Sequence, residues 1–183
     1  MPTWRPQRRL LCWMVLAAPA AQLGWDASQG ALGSNPVERL VCGPGYWALA
    51  WLLVALAISP LCQLLPRLAQ RRRWRYGKRT ADWHWLLQLR RPAGLGAFCY
   101  ALLHLLLYLL VDLDWDQLAG DLLGKPYIEA ALSSLVLLLP LALTAPAGWI
   151  RPLRRLWQRL HLLLYPASAL MVLLVQLSRH GLP

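Results

Sequence analysis

The chain has 183 residues, 58 % of them apolar and 15 % charged, with a formal net charge of +11. A soluble domain of this size carries roughly a quarter charged residues, and eleven tryptophans and six tyrosines against one phenylalanine suit the interfacial preference of Trp and Tyr. This composition excludes an ordinary soluble domain and predicts an all-α, polytopic membrane helical bundle with about five transmembrane helices.

Residues 1–9 are polar and basic, and an uncharged stretch at 10–25 comes next. Basic residues, an apolar run and Ala17-Ala18-Pro19-Ala20-Ala21 also fit a cleaved signal peptide. A retained first span is preferred, because Trp25 and the residues after it lead directly into a second one. Residues 26–44 hold Gly30, Gly33, Asn35-Pro36 and Gly43-Pro44-Gly45, turn chemistry expected outside the membrane. The second span is expected at 46–65.

A basic segment at 67–91 comes next, with nine Lys/Arg against the single acid Asp82. Arg71-Arg72-Arg73-Trp74-Arg75 with Lys78-Arg79 would pass for an RNA-binding arm in a soluble protein. Between two spans it reads instead as a cytoplasmic loop obeying the positive-inside rule and touching anionic lipid, with no nucleic acid partner. His84, between Trp83 and Trp85, reads as part of the interfacial aromatic belt.

The third span, 92–111, opens after Arg90 and Arg91 and closes at Asp112. Its acidic exit (Asp112, Asp114, Asp116) has Gln117 and Leu123 where a calcium loop needs glycine and glutamate, which excludes an EF-hand. A fourth span at 128–148 opens near Lys125-Pro126-Tyr127 and contains Pro140, a tolerated kink. A second basic cluster (Arg151, Arg154, Arg155, Arg159) precedes a fifth span at 160–178. Five spans, amino end inside and carboxyl end outside, satisfy the charge of every loop, and 1–183 reads as one domain. The four cysteines show no CxxC spacing and suggest neither a disulfide framework nor a zinc site.

His104 is the one ionisable side chain in the middle of the third span. An imidazole in lipid needs a metal, a buried carboxylate or a backbone carbonyl. It is therefore either a histidine hydrogen-bonded to a neighbouring helix or an axial ligand of a haem held between helices. His161 opens the fifth span near the cytoplasmic edge. His104 lies twelve residues beyond Pro92 in a helix running the same way, roughly 18 Å deeper. The two therefore cannot bracket one haem, and each needs its own partner. The position level with His104 on the fifth span is Leu174.

Several stretches resemble the haem-binding membrane subunits of periplasmic methionine sulfoxide reductase systems, within the ferric-reductase-like transmembrane family. They are GALGSNPVERL at 30–40, YWALAWLLVALAISPL at 46–61, LRRPAGLGAFCYALLHLLLY at 89–108, KPYIEAALSSLVLLLPLALT at 125–144 and WQRLHLLLY at 157–165. The resemblance implies haem ligation by His104 and His161. It also implies a further histidine where this chain has Leu174, a departure that puts the outer haem's second ligand in question. The family's final helix has no counterpart, and an arginine-rich insertion lengthens 66–89. Met171, one turn before Leu174, is a candidate thioether ligand; simple packing is its other reading.

By the same resemblance, haem b would carry electrons from quinol or a cytoplasmic flavin reductase, with FMN a further candidate cofactor. The acceptor would be a periplasmic molybdopterin-containing methionine sulfoxide reductase, and the location the bacterial inner membrane. Arginines at the inner end could hold haem propionates or a flavin phosphate, Arg91 and Arg159 first among them; orienting the protein is their alternative role. The rival reading is a haem-depleted member serving as a non-redox assembly or partner-binding subunit. A transporter finds little support, since His104 is the only ionisable group central to a span.

Overall fold

The computed structural model describes residues 6–112, 120, 126–143, 165–166, 169 and 172. Helix α1 runs Pro6–Ser28, α2 Pro36–Arg71, α3 His84–Leu107 and α4 Pro126–Leu143; a single 3-10 turn, Thr80–Trp83, leads into α3. A π-turn, Tyr108–Asp112, extends α3. All described regular structure is helical. Helices α1, α2 and α3 with its flanking turns contain segments long and apolar enough to cross a membrane.

Each boundary has a local cause. Gly30 and Gly33 adopt positive φ (66° and 85°), turning the chain between α1 and α2. Pro36 then occupies the first turn of α2, where its missing N–H costs nothing, and the Asn35 amide donates to Glu38 Oε2 at 2.9 Å. Across the turn, Arg39 pairs with Asp26 at 3.2 Å.

Helix α2 differs from the sequence expectation. It starts ten residues before 46 and runs straight through Gly43-Pro44-Gly45, residues whose turn propensity is an aqueous preference. Prolines are tolerated inside spanning helices when neighbouring groups re-satisfy the freed backbone. At its other end α2 continues to Arg71. Helix α3 starts at His84 rather than Pro92, so that Arg90, Arg91 and Pro92 are all helical. The non-helical part of the basic segment shrinks accordingly. The fourth helix does open at Pro126, with Pro140 inside.

The core is the seam between α2 and α3. Buried α2 residues recur as Val41, Pro44, Ala48, Leu52, Ala55, Ile58, Cys62, Pro66 and Ala69, a spacing of three and four that keeps one stripe facing a partner. Opposite them lie Ala93, Ala97, Tyr100 and Ala101. Small residues on both sides let the backbones approach, as membrane helix pairs require. Helix α4 adds Leu138 beside Leu52 and Ala97. Helix α1 inserts Leu16 where Gly96 has no side chain: a Cβ there would sit 2.5 Å from Leu16 Cδ2. Large apolar residues such as Leu10, Leu11, Trp13, Met14 and Val15 are exposed on α1, as a lipid-facing surface would be.

Candidate functional site

Tyr100 and His104 stand one turn apart on α3, and each reaches a neighbouring helix at a turn that a proline has weakened. Pro19 lies inside α1 and Pro44 inside α2. A helix-interior proline removes one backbone hydrogen bond and crowds the preceding turn. At Pro19 the Tyr100 hydroxyl donates to Leu16 O at 2.7 Å and accepts from Ala20 N–H at 3.0 Å. It therefore stands between the two groups that an unbroken helix would pair directly.

At Pro44 the partner is His104. Its Nδ1 lies 2.6 Å from Val41 O, in the turn before the proline. A carbonyl only accepts, so Nδ1 carries the proton and donates it. Gly45 lies under the ring: a Cβ on it would be 3.3 Å from His104 Nδ1 and 3.4 Å from Cγ and Cε1. The imidazole thus fits because position 45 lacks a side chain.

This arrangement meets one of the sequence expectations for His104, a backbone carbonyl partner. It also turns Nε2 away from Val41 O, making it the ring nitrogen that could meet a metal. Metal-ligating histidines characteristically donate their other N–H to a carbonyl or carboxylate, which fixes tautomer and orientation. No cluster of three or more His, Cys, Asp or Glu that could hold a metal ion occurs among the described residues. A metal at His104 would therefore need its remaining ligands from a macrocycle or from elsewhere in the chain. A haem iron suits the donor set, since one imidazole nitrogen suffices on the protein side.

Further nitrogen donors lie along the same helix pair. Trp51 Nε1 is buried without a hydrogen-bond partner among the described residues; its ring packs with Ala48, Tyr100 and Ala101. Arg90 donates to Ser59 Oγ at 3.1 Å, which ties α3 to α2 near Pro60, while its buried Nε has no partner among the described residues. Arg91, one of the two preferred anion-contact candidates, is half-buried on the same turn. Arg159, His161, Met171 and Leu174 lie outside the described residues, as do Asp114 and Asp116 of the acidic exit.

The supports of His104 were not anticipated from sequence. Val41 and Gly45 belong to a stretch whose composition reads as a loop. The available signal was that a proline in a span must find a polar neighbour.

Residues 44–172 match the family described as ferric reductase like transmembrane component. A protein from Caulobacter vibrioides, called protein-methionine-sulfoxide reductase heme-binding subunit MsrQ, is 41 % identical over 160 residues, which is 85 % of this chain and 68 % of the relative. A protein of the same name from Xanthomonas oryzae pv. oryzae is 40 % identical over 164 residues, with the same coverage of each chain. One from Xanthomonas campestris pv. campestris is 40 % identical over 167 residues. No solved structure matches the chain.

Proposed function

The chain belongs to the ferric reductase-like transmembrane family, and on that premise we propose that it is a haem b-containing membrane subunit that passes electrons to a periplasmic methionine sulfoxide reductase. The observation that carries this reading is the orientation of His104: its Nδ1–H is given to Val41 O at 2.6 Å, so Nε2 is the ring nitrogen that could meet a haem iron. The relatives' shared name as heme-binding subunits supports it.

In this proposal haem, when bound, supplies reversible one-electron transfer. The chain's own residues do the rest. His104 would hold the iron through Nε2, with Val41 O fixing the tautomer and Gly45 leaving room for the ring. His161 would be a ligand at a second, shallower level, and Met171 a further candidate ligand, since Leu174 replaces the family's next histidine. Arg91 and Arg159 attract anionic groups at the basic end, propionate or flavin phosphate. Close packing of α2 against α3 would keep water away from a centre held beside the seam.

The remaining parts of the proposal come from the family. Five spans in the bacterial inner membrane place the basic segments in the cytoplasm. Electrons enter there from the quinol pool or a flavin reductase, with FMN a candidate intermediary. They leave outside to a molybdopterin-containing catalytic subunit.

The test is a reduced-minus-oxidised spectrum of the purified chain expressed with ample haem supply. A b-type Soret and alpha band is expected. Colourless protein would remove electron transfer and leave the assembly-subunit reading, which Leu174 favours.

A further inference from the structure

The loop joining α2 to α3 is a folded unit. Arg72 N–H and Trp74 N–H return to Leu68 O (2.8 Å) and Ala69 O (2.9 Å), closing the end of α2. The Gln70 amide donates to Lys78 O and the Trp83 indole to Gly77 O, each at 2.9 Å. Asp82 Oδ2 accepts from Arg79 N–H at 3.2 Å. Gly77 has φ 83° and lies on the Trp83 ring, where a Cβ would come within 3.0 Å. These bonds turn the backbone carbonyls inward and hold Arg75, Tyr76, Lys78 and Arg79 around an open cleft of about 560 Å³.

The cations around this cleft outnumber the carboxylates. The Arg39–Asp26 ion pair lies at the opposite end of α2. Among the described residues, the only carboxylate at the cleft, Asp82, is engaged with the backbone of Arg79. Arg71, Arg72 and Arg73 immediately precede it. Like charges this close repel one another unless an anion sits among them. Aromatic rings accompany these cations: Tyr76 lines the cleft and Trp74 lies next to Arg75 in the chain, and they are 80 % and 47 % exposed. In water such exposure is unfavourable, whereas at the level of lipid headgroups it is the preferred place for these rings. The loop also joins two helices able to cross the membrane.

From these observations we infer that the cleft formed by Arg75, Lys78 and Arg79 seats the phosphate of an anionic phospholipid from the adjoining leaflet, with Trp74 and Tyr76 lying among the neighbouring headgroups. A soluble phosphate compound would use the same cations but leave the aromatic flank without a role. The inference is independent of haem binding.

Native mass spectrometry of the full chain in detergent, supplied with phosphatidylglycerol or phosphatidylcholine, tests it. The chain is expected to retain phosphatidylglycerol in preference. The triple variant Arg75→Gln/Lys78→Gln/Arg79→Gln is expected to lose that preference, with retention weakened on the order of a hundredfold given the typical contribution of each basic residue near an anionic surface. Asp82→Asn keeps an acceptor for Arg79 N–H while removing the negative charge of the cleft lining, and should raise phosphatidylglycerol retention. Equal retention of both lipids by the unaltered chain, or unchanged preference in the triple variant, would overturn the inference. Displacement of phosphatidylglycerol by low millimolar inorganic phosphate would overturn it too, assigning the cleft to a soluble anion.

Discussion

Replacing Gly45 by alanine is the sharpest probe of the His104 seat. The new methyl group would meet the imidazole at 3.3–3.4 Å, so one of them must move by a few tenths of an ångström. The ring has little freedom, because its Nδ1 is held 2.6 Å from Val41 O. Crowding of this kind costs about 1–3 kcal/mol. Alanine recovers about 1 kcal/mol of helix propensity, so the helix pair should still form. Haem affinity should respond differently, since disturbing the group that orients a metal-bound histidine typically costs about 10- to 100-fold. The expected result is a folded, monodisperse Gly45→Ala protein with little change in melting temperature and strongly reduced haem per polypeptide, measured by pyridine haemochrome and by haem titration. If Gly45→Ala retains full haem content with an unaltered spectrum and midpoint potential, the ring that binds iron is not the one resting on Gly45.

Four further substitutions examine the rest of the scheme. His104→Ala should abolish at least one haem and His161→Ala should affect a separate one or a flavin; loss of the same single haem from both, read from the difference spectra, would contradict the depth argument. Leu174→His should increase haem occupancy or shift a midpoint potential in a redox titration, and an unchanged spectrum would discredit the registration of the fifth span against its relatives. Tyr100→Phe removes a hydroxyl that contacts both Leu16 O and Ala20 N. It should lower stability by about 1 kcal/mol, because the two backbone groups can partly re-pair, and should speed amide exchange in α1; unchanged exchange at Ala20 would refute the contact.

Helical class, membrane character and the need of His104 for a polar partner were legible from sequence because they depend on composition and on one ionisable residue in a long apolar run. The bounds of α2 and α3 were not. Gly43-Pro44-Gly45 and Arg91-Pro92 are strong punctuation in water, but in lipid an interrupted helix still satisfies more backbone than a loop does. The partners of His104 and Tyr100 were hidden for a different reason. Both are main-chain atoms, Val41 O and the Leu16–Ala20 pair, which leave no mark in side-chain identity. What could have revealed them is the pairing of two prolines in spans with two polar residues four apart on α3.

The Tyr100 hydroxyl also bears on how the chain is made. Its target in α1 is synthesised 80 residues earlier, and at about 5–20 residues per second the wait is about 4–16 s. Throughout that interval the turn at Pro19 is without its eventual companion, so Leu16 O and Ala20 N–H must pair with each other or with water until the third helix arrives to take them up.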